Sequence, residues 1–204
     1  MVPTPIFGAV SFSHDVIIIG QGLAGTVLSE VLAARGLRVV IYDVPKEGRA
    51  SHAAAGLVNP IVLRRTVPSW RASEMLAIAG AFYRDLEQHY DARFWNPIEL
   101  VELFPTAKEA GIWRLRMKDP EMARMLGEGP TPDAAVDELP RPYGYGIVKR
   151  CAWVDMRRLL QAHRERWRAA GQLIEQEVGP HDVQVAEGGR RVHQSTAPVL
   201  VRCE

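Results

Sequence analysis

The segment DVIIIGQGLAG, residues 15–25, decides the fold class, because an apolar run leads directly into a Gly-x-Gly-x-x-Gly pattern. The apolar residues 16–19 have the length of a buried strand, and helix-forming residues follow the last glycine. Each glycine serves a separate purpose. Gly20 allows a tight turn, Gly22 allows backbone to approach a pyrophosphate, and Gly25 allows the helix to pack closely on the strand. The segment therefore predicts the start of a dinucleotide-binding domain.

A second strand with an acidic residue after it supports this interpretation. Gly36 stands where a helix C-cap is expected, residues 38–42 have the composition of a strand, and Asp43 follows them. An acidic side chain at this distance from the first glycine can accept hydrogen bonds from the adenosine ribose hydroxyls. It also disfavours a 2′-phosphate, and hence NADP, because two negative groups would meet. The motif alone leaves both FAD and NAD open.

The composition is that of an ordinary globular protein. The chain has 204 residues, of which 47% are hydrophobic and 24% charged, and its formal net charge is +1. The basic residues are spread out and predict no nucleic-acid partner, and those at positions 157–168 are expected to form a solvated helix face. Cys151 and Cys203 match neither a disulfide framework nor a metal-binding spacing, which favours a reducing cytoplasm. We expect neither a signal peptide nor a membrane-spanning segment.

After Asp43 the regular alternation of strands and helices is interrupted, and it returns near the end of the chain. The predicted elements are a helix over 69–93 that Pro97 ends, strands over 98–104 and 144–153, a helix over 155–168, a strand over 173–178, a hairpin over 182–193 and a strand over 197–204. An apolar stripe of the long helix is expected in the core: Met75, Leu76, Ile78, Ala79, Phe82, Leu86 and Tyr90. Residues 127–142 are expected to form a surface excursion.

The segment SHAAAGL at residues 51–57 supplies a second motif. Its small side chains suit a close approach of backbone to a flat ligand, although its composition is equally typical of a connection with a short helical turn. With the glycine pattern and Asp43, it resembles the FAD-dependent oxidoreductases of the D-amino-acid oxidase superfamily, in particular the glycine-oxidase-like members. In that family a similar Ser/Thr-Ser-x-Ala-Ala-Gly segment lies along the pyrophosphate and flavin. The order of helix, strand, hairpin and strand at the end of the chain is similar too.

The resemblance implies an α/β fold: a Rossmann-like FAD-binding domain over 14–68 and 150–204, with an inserted α+β substrate lobe over 69–149. The fold is expected to be incomplete, so that a partner chain or a missing C-terminal half would finish the site. The implied FAD contacts are Gly20, Gly22, Leu23, Ala24, Gly25, Asp43, Ser51, Ala54, Ala55, Gly56, Leu57 and Val178. No metal site and no catalytic residue are predicted, and His52 and His163 are expected to be hydrogen-bonded loop or core residues.

The implied reaction is oxidation of the C–N bond of a small amine or amino acid by hydride transfer to flavin. Arg64, Arg65, Tyr143 and Tyr145 are expected to have surface or packing roles rather than to bind a substrate carboxylate. One alternative is a non-catalytic remnant or partner-dependent subunit that binds only the ADP half of a dinucleotide. The other is an NAD-dependent dehydrogenase, which segment 51–57 disfavours.

Overall fold

A computed structural model describes residues 11–46, 48–129, 140 and 142–203. The chain divides into two compact units, one formed by Met1–Ala54 and Met156–Glu204, and the other by Ala55–Asp155. Most of the predicted surface excursion at 127–142 lies outside the described residues.

The strands are β1 Val16–Ile19, β2 Val39–Tyr42, β3 Leu57–Val58, β4 Ile61–Val62, β5 Val67–Pro68, β6 Trp95–Leu103, β7 Leu126–Gly127, β8 Tyr145–Val154, β9 Leu173–Ile174, β10 Val183–Ala186, β11 Gly189–Val192, β12 Ser195–Ala197 and β13 Val199–Arg202. The α-helices are α1 Leu23–Ala33, α2 Ala50–Ala53, α3 Ala72–Tyr90, α4 Ala107–Arg116, α5 Pro120–Ala123 and α6 Met156–Ala169. Short 3-10 helices lie at Leu63–Arg65 and Pro180–Asp182.

The first unit contains a parallel sheet with the strand order β13-β1-β2-β9. In chain order of the sheet strands this is 4-1-2-3, the arrangement that begins the Rossmann fold. Every residue of β1 and β2 is buried, as expected for strands covered on both faces. Side chains alternate between the faces: Ile17 and Tyr42 pack with Val192, whereas Ile18 and Ile41 pack with Trp167. The predicted α/β fold is therefore confirmed.

Two predicted strands of the first unit need correction. The strand predicted over 173–178 contains only the two residues of β9, which pair with Ile41 and Tyr42. The strand predicted over 197–204 is two strands, because Pro198 separates β12 from β13. β12 completes an antiparallel sheet with the β10–β11 hairpin, which the sequence predicted, whereas β13 pairs in parallel with β1.

The second unit is built on the antiparallel order β3-β8-β6, with β7 also paired to β8. It is larger than the insertion predicted over 69–149, because Leu57 and Val58 pair with Trp153 and Ala152. The sequence analysis predicted that Pro97 ends a helix. Instead, Pro97 lies inside β6, opposite Ala152. Since β6 ends the path of paired strands, it can accommodate a residue without an N–H group.

The apolar stripe predicted on the long helix is partly wrong. Helix α3 buries Ala72, Gly80, Tyr83 and Leu86, and Tyr83 stacks on Trp95 of β6 with a centroid distance of 5.2 Å. Met75 and Ile78, which were expected in the core, are 40% and 57% exposed. The buried face is rotated relative to the predicted one, because small residues and a tyrosine face the sheet.

Candidate functional site

A cavity of about 380 Å³ lies in the first unit beyond the carboxyl ends of the parallel strands. Gly20, Asp43 and Cys203 directly follow β1, β2 and β13, and Gln176 lies just beyond β9. Ligands of open α/β sheets bind at this edge, where the strand order reverses. The other lining residues are Ile19, Gly22, Leu23, Ala24, Tyr42, Val44, Lys46, Arg49, Ala50, Ser51, Glu177 and Val178.

The three motif glycines are required for three different reasons. Gly20 has a positive φ of 99°, which only glycine adopts readily. A Cβ atom on Gly25 would lie 2.0 Å from the Gly20 carbonyl oxygen, so that α1 could not pack at its present distance from the end of β1. Gly22 lines the cavity, and a Cβ there would meet the Ser51 hydroxyl at 3.0 Å. Two glycines thus serve the fold, and the third leaves room in the cavity.

The N-terminus of α1 opens on this cavity and is suited to an anion. The first N–H groups of a helix have no intrahelical acceptor, and the helix dipole places partial positive charge there. Gly22 occupies the N-cap position without a side chain, and the Leu23 N–H donates to Ser51 Oγ at 3.0 Å. Ser51, on α2, therefore fixes the entrance of the helix. This arrangement is a general binding site for phosphate groups.

Asp43 also lines the cavity and is already engaged by three donors. Its Oδ1 accepts a hydrogen bond from the Gln21 N–H at 2.9 Å. Its Oδ2 accepts from Arg49 Nη1 at 2.9 Å and from Arg164 Nη2. The Asp43 side chain is only 3% exposed. Because a carboxylate offers about four acceptor positions, about one remains for a ribose hydroxyl.

The two arginines were missed as site residues. Arg164, which was expected on a solvated face, is 18% exposed and bridges Asp43 and Glu175. Helical spacing could not reveal this, because Arg164 lies at the border between the buried and exposed faces of α6. Both guanidinium groups compensate the charge of Asp43, so the electrostatic argument against a 2′-phosphate is weaker than the sequence suggested.

Replacing Asp43 with asparagine is expected to destabilise the first unit. The amide keeps an acceptor for the Gln21 N–H, but Arg49 loses its carboxylate partner and Arg164 keeps only Glu175; both arginines are mostly buried. Since each guanidinium is partly solvated, we expect a loss of about 1–3 kcal/mol in the free energy of unfolding. Urea denaturation measures it. An Asp15→Asn variant is the control, because the Asp15–Arg38 pair is exposed; equal losses in the two variants would contradict the prediction.

The predicted site residues fall into two groups. Seven of them line the cavity: Gly20, Gly22, Leu23, Ala24, Asp43, Ser51 and Val178. Gly25 lies behind the turn, against Gly20. Ala54 is the last residue of the N-terminal segment of the first unit, Met1–Ala54.

Ala55, Gly56 and Leu57 belong to the second unit instead. There the Ala55 carbonyl accepts from Trp153 Nε1 at 2.9 Å, and the Gly56 carbonyl accepts from the Val154 N–H at 2.9 Å. Their cofactor contacts stay predictions.

Other lining residues give the cavity a mixed character. Lys46 and Glu177 form an exposed ion pair at 2.6 Å, and neither was predicted. Burial raises the pKa of the Cys203 thiol, so this residue contributes a neutral side chain.

Among the residues that the structure describes, no group of three or more His, Cys, Asp or Glu side chains could hold a metal ion. Nor does any described helix combine the length and apolar character needed to cross a bilayer.

His163 has the buried, hydrogen-bonded position that the sequence predicted. It is 0% exposed, and its ring nitrogens lie 3.1 Å from Gln21 Nε2 and 2.8 Å from Ser29 Oγ. Burial lowers the pKa of this imidazole to about 3, and the neighbouring Arg164 adds to the effect. His52 is exposed on α2. Of the four residues considered for a substrate carboxylate, Tyr145 donates to the Gly129 carbonyl and the others, Arg64, Arg65 and Tyr143, are exposed.

The buried imidazole predicts a loss of stability in acid. An unfolded histidine takes up a proton near pH 6.5, whereas folded His163 stays neutral until about pH 3. The unfolded state therefore binds more protons in this interval, and stability falls as the pH drops below 6.5, by about 1.4 kcal/mol per pH unit from this group. Urea denaturation across this range, on the wild type and on His163→Asn, isolates the contribution. Parallel pH profiles of the two proteins would contradict the prediction.

A search against protein families identifies the fold and its cofactor. A family model described as FAD dependent oxidoreductase matches residues 15–203. The chain belongs to this family of FAD-dependent oxidoreductases. The predicted family and the predicted cofactor, FAD, are thereby confirmed, and the NAD-dependent alternative is disfavoured.

Solved structures agree on the fold. Glycine oxidase from Geobacillus kaustophilus matches with a TM-score of 0.68 and 20% identity, covering 95% of this chain and 56% of the oxidase. Iminodiacetate oxidase (IdaA) from Chelativorans sp. BNC1 matches with a TM-score of 0.66 and 20% identity, covering 91% of this chain and 54% of that protein. The chain thus spans little more than half the length of these oxidases.

A curated relative is similar over a shorter stretch. The tRNA 5-methylaminomethyl-2-thiouridine biosynthesis bifunctional protein MnmC of Marinobacter nauticus is 31% identical over 97 residues, which are 48% of this chain and 15% of that protein. A match of this extent does not transfer an activity.

Proposed function

We propose that this chain binds FAD in its first unit and takes part in oxidation of the C–N bond of a small amine or amino acid. The observation that carries the proposal is the cavity at the carboxyl ends of the parallel strands, which combines the helix N-terminus with a buried carboxylate. Oxidases of glycine and of iminodiacetate share the fold, and both names denote compounds with a C–N bond.

The residues fit the ADP half of FAD. The N-terminus of α1 would bind the pyrophosphate, and Gly22 keeps the cavity open for it. The remaining acceptor position of Asp43 would take a ribose hydroxyl. Val178, which is 9% exposed and lines the cavity, would contribute an apolar contact for adenine. Positioning of this kind is the protein's main contribution in a cofactor enzyme.

When bound, FAD supplies the two-electron acceptor for a hydride from the carbon of the C–N bond, leaving an imine that water hydrolyses. Because FAD carries out the hydride transfer, this chemistry does not require an acid or a base from the protein. Lys46 and Glu177, the exposed pair at the cavity, are engaged with each other. We therefore assign no catalytic side chain, and the role of this unit is to bind and orient the cofactor.

A second candidate function is cofactor binding without oxidation by this chain alone. It is motivated by the coverage of the oxidases, of which the chain matches 56% and 54%. In this version the chain supplies the ADP site, and residues outside it would complete the substrate site. The two candidates share FAD binding and differ in whether substrate can reduce the bound flavin.

The test begins with the visible spectrum of the purified protein, followed by titration of the apo-protein with FAD, NAD and NADP. We expect selective FAD binding near one equivalent. Anaerobic addition of glycine or iminodiacetate to the FAD-loaded protein then reports reduction by bleaching of the flavin absorbance, whatever the final electron acceptor is. Gly22→Val is the matched control, because it removes the space for the pyrophosphate.

The outcomes separate the candidates. Bleaching by an amine or amino acid supports the oxidase. Stoichiometric FAD binding without bleaching across a panel of amines supports the cofactor-binding subunit. Tighter binding of NAD or NADP than of FAD would overturn both. The titration with NADP is needed because Arg49 and Arg164 compensate the charge of Asp43, which would otherwise repel a 2′-phosphate.

A further inference from the structure

A buried polar side chain lies inside the glycine turn itself. Gln21, between Gly20 and Gly22, is only 2% exposed. Its Nε2 donates to the Leu160 carbonyl at 2.9 Å and lies 3.1 Å from His163 Nδ1, and both partners are on α6. Through its side chain, Gln21 therefore connects the turn to a helix more than a hundred residues away in sequence.

The partners of His163 define its proton positions. Because Gln21 Nε2 is a donor, His163 Nδ1 accepts, and the ring proton is on Nε2. Nε2 then donates to Ser29 Oγ at 2.8 Å, and the Ser29 hydroxyl donates to the Thr26 carbonyl at 2.9 Å. We call Gln21, Ser29 and His163 the turn network. It joins the turn, α1 and α6, and each of these donors has an acceptor.

A neutral imidazole is the form that this network accepts. A proton on Nδ1 would face the amide nitrogen of Gln21, and rotating the amide would place its oxygen against the Leu160 carbonyl. Glu30 Oε1 of α1 lies 3.6 Å from His163 Nε2 and accepts from Trp167 Nε1, while the Trp167 ring stacks on His163 at 5.1 Å. On α6, the charge of Arg164 is directed to Asp43 and Glu175. The hydrogen-bond partners of His163 therefore fit only the neutral ring with its proton on Nε2.

Gln21 also connects this network to Asp43, which lines the cavity. Its backbone N–H donates to Asp43 Oδ1 at 2.9 Å. One residue therefore fixes the peptide between Gly20 and Gly22 through its side chain and orients the Asp43 carboxylate through its main chain. A shift of this peptide would displace the groups proposed for the pyrophosphate and the ribose together.

We propose that Gln21 and His163 are positioning residues for the cofactor: helix α6 acts through them to hold the glycine turn in its binding geometry. The proposal rests on the proposed binding of FAD in this cavity. It goes beyond the glycine pattern, which specifies the conformation of the turn but not what holds it against α6. Neither side chain lines the cavity, so both would act on the ligand indirectly, through the glycine turn.

The test is a double-mutant cycle with Gln21→Leu, His163→Leu and the double variant, read as the FAD dissociation constant at neutral pH. Each single substitution is expected to raise this constant roughly tenfold, the equivalent of about one hydrogen bond. The double variant is expected to bind FAD no more weakly than the weaker single variant, because each single substitution already breaks the hydrogen bond between Gln21 and His163. If the losses multiply, or if the dissociation constant does not change, the proposal is wrong.

Two further variants separate positioning from general stability. His163→Asn keeps an acceptor near the place of Nδ1, so it should restore most of the affinity that His163→Leu loses. Leu173→Ala removes a buried side chain that packs with Trp167 in the same core, and no hydrogen bond joins it to the turn. This control should lower the melting temperature and leave FAD affinity unchanged. If His163→Leu does not fold, Gln21→Leu and His163→Asn carry the comparison.

Hydrogen exchange of the backbone amides gives a readout that does not need FAD. Faster exchange at Gln21 and Gly22 in both network variants, and not in Leu173→Ala, is expected from a released turn. If the wild type binds no FAD, the proposed function fails, while the exchange result still decides whether the network holds the turn. Unchanged exchange in the network variants would overturn the positioning role.

Discussion

Replacing Gly25 with alanine is expected to prevent the first unit from folding normally. The new Cβ would lie 2.0 Å from the Gly20 carbonyl oxygen, and the backbone fixes the positions of both atoms, so no side-chain rotation can relieve the contact. The relief of this contact requires α1 to move away from the end of β1, whose residues are all buried. We expect a loss of about 3–5 kcal/mol, a large part of the stability of a typical domain. Thermal and urea unfolding, followed by circular dichroism, measure it.

The matched control is Gly111→Ala. Gly111 lies inside α4, and a Cβ there would meet nothing within 4 Å. Because alanine has the higher helix propensity, this variant should be more stable by about 0.5–1 kcal/mol. If Gly→Ala lowers the free energy of unfolding at position 25 and raises it at position 111, the Gly25 effect comes from its position and not from the chemical change itself. A Gly25→Ala protein with wild-type stability would mean that the packing of α1 on the turn has been misread.

Replacing Gly22 with valine is expected to abolish FAD binding while the fold persists. The φ of Gly22 is −79°, which any residue can adopt, and the nearest obstacle to a Cβ is the Ser51 hydroxyl at 3.0 Å, the end of a movable side chain. The branched side chain would, however, occupy cavity space next to the N-terminus of α1. We expect FAD affinity to fall at least about a hundredfold, which corresponds to about 2.7 kcal/mol. Titration followed by flavin fluorescence measures it.

A graded series makes this prediction specific. Gly22→Ala adds one carbon atom and should weaken binding less than Gly22→Val. Ser51→Ala removes the atom that a Cβ at position 22 would meet, and with it the acceptor of the Leu23 N–H. Circular dichroism spectra of all three variants should match that of the wild type. Unchanged FAD affinity in Gly22→Val would refute the assignment of the pyrophosphate to this turn.

The two glycines also show why a motif can be recognised before the fold is known. The strand, the turn and the helix are consecutive in sequence, and the carbonyl oxygen that requires glycine at position 25 belongs to Gly20 of the same turn. The short distance from Gly20 to Asp43 likewise follows from one βαβ unit. Longer predictions failed where they depended on the partner element. Helix α3 lies within the predicted range 69–93 but is shorter, Ala72–Tyr90, and its buried face was misjudged at Met75 and Ile78.

The environment of Asp43 illustrates what distant contacts add. Sequence reasoning placed this carboxylate next to a ribose, and the structure places it at the cavity. Arg164 reaches it from 121 residues away, and periodicity could not reveal this because Arg164 stands at the border between the buried and exposed faces of α6. The second unit extends beyond the lobe predicted over 69–149 for a similar reason, since β3 and β8 pair across a long interval.

The sequence by itself determined the parallel βαβ core, the steric need for glycine at positions 20 and 25, the FAD-dependent family and the hairpin near the end of the chain. These features depend on neighbouring residues, whose backbone geometry and side-chain period are local properties. Tertiary structure alone decided which strands pair beyond that core, which face of α3 is buried, how Arg49 and Arg164 engage Asp43, and how the turn network joins the glycine turn to α6. A period limits which side chains share a face of an element; the packing of distant segments decides what that face meets.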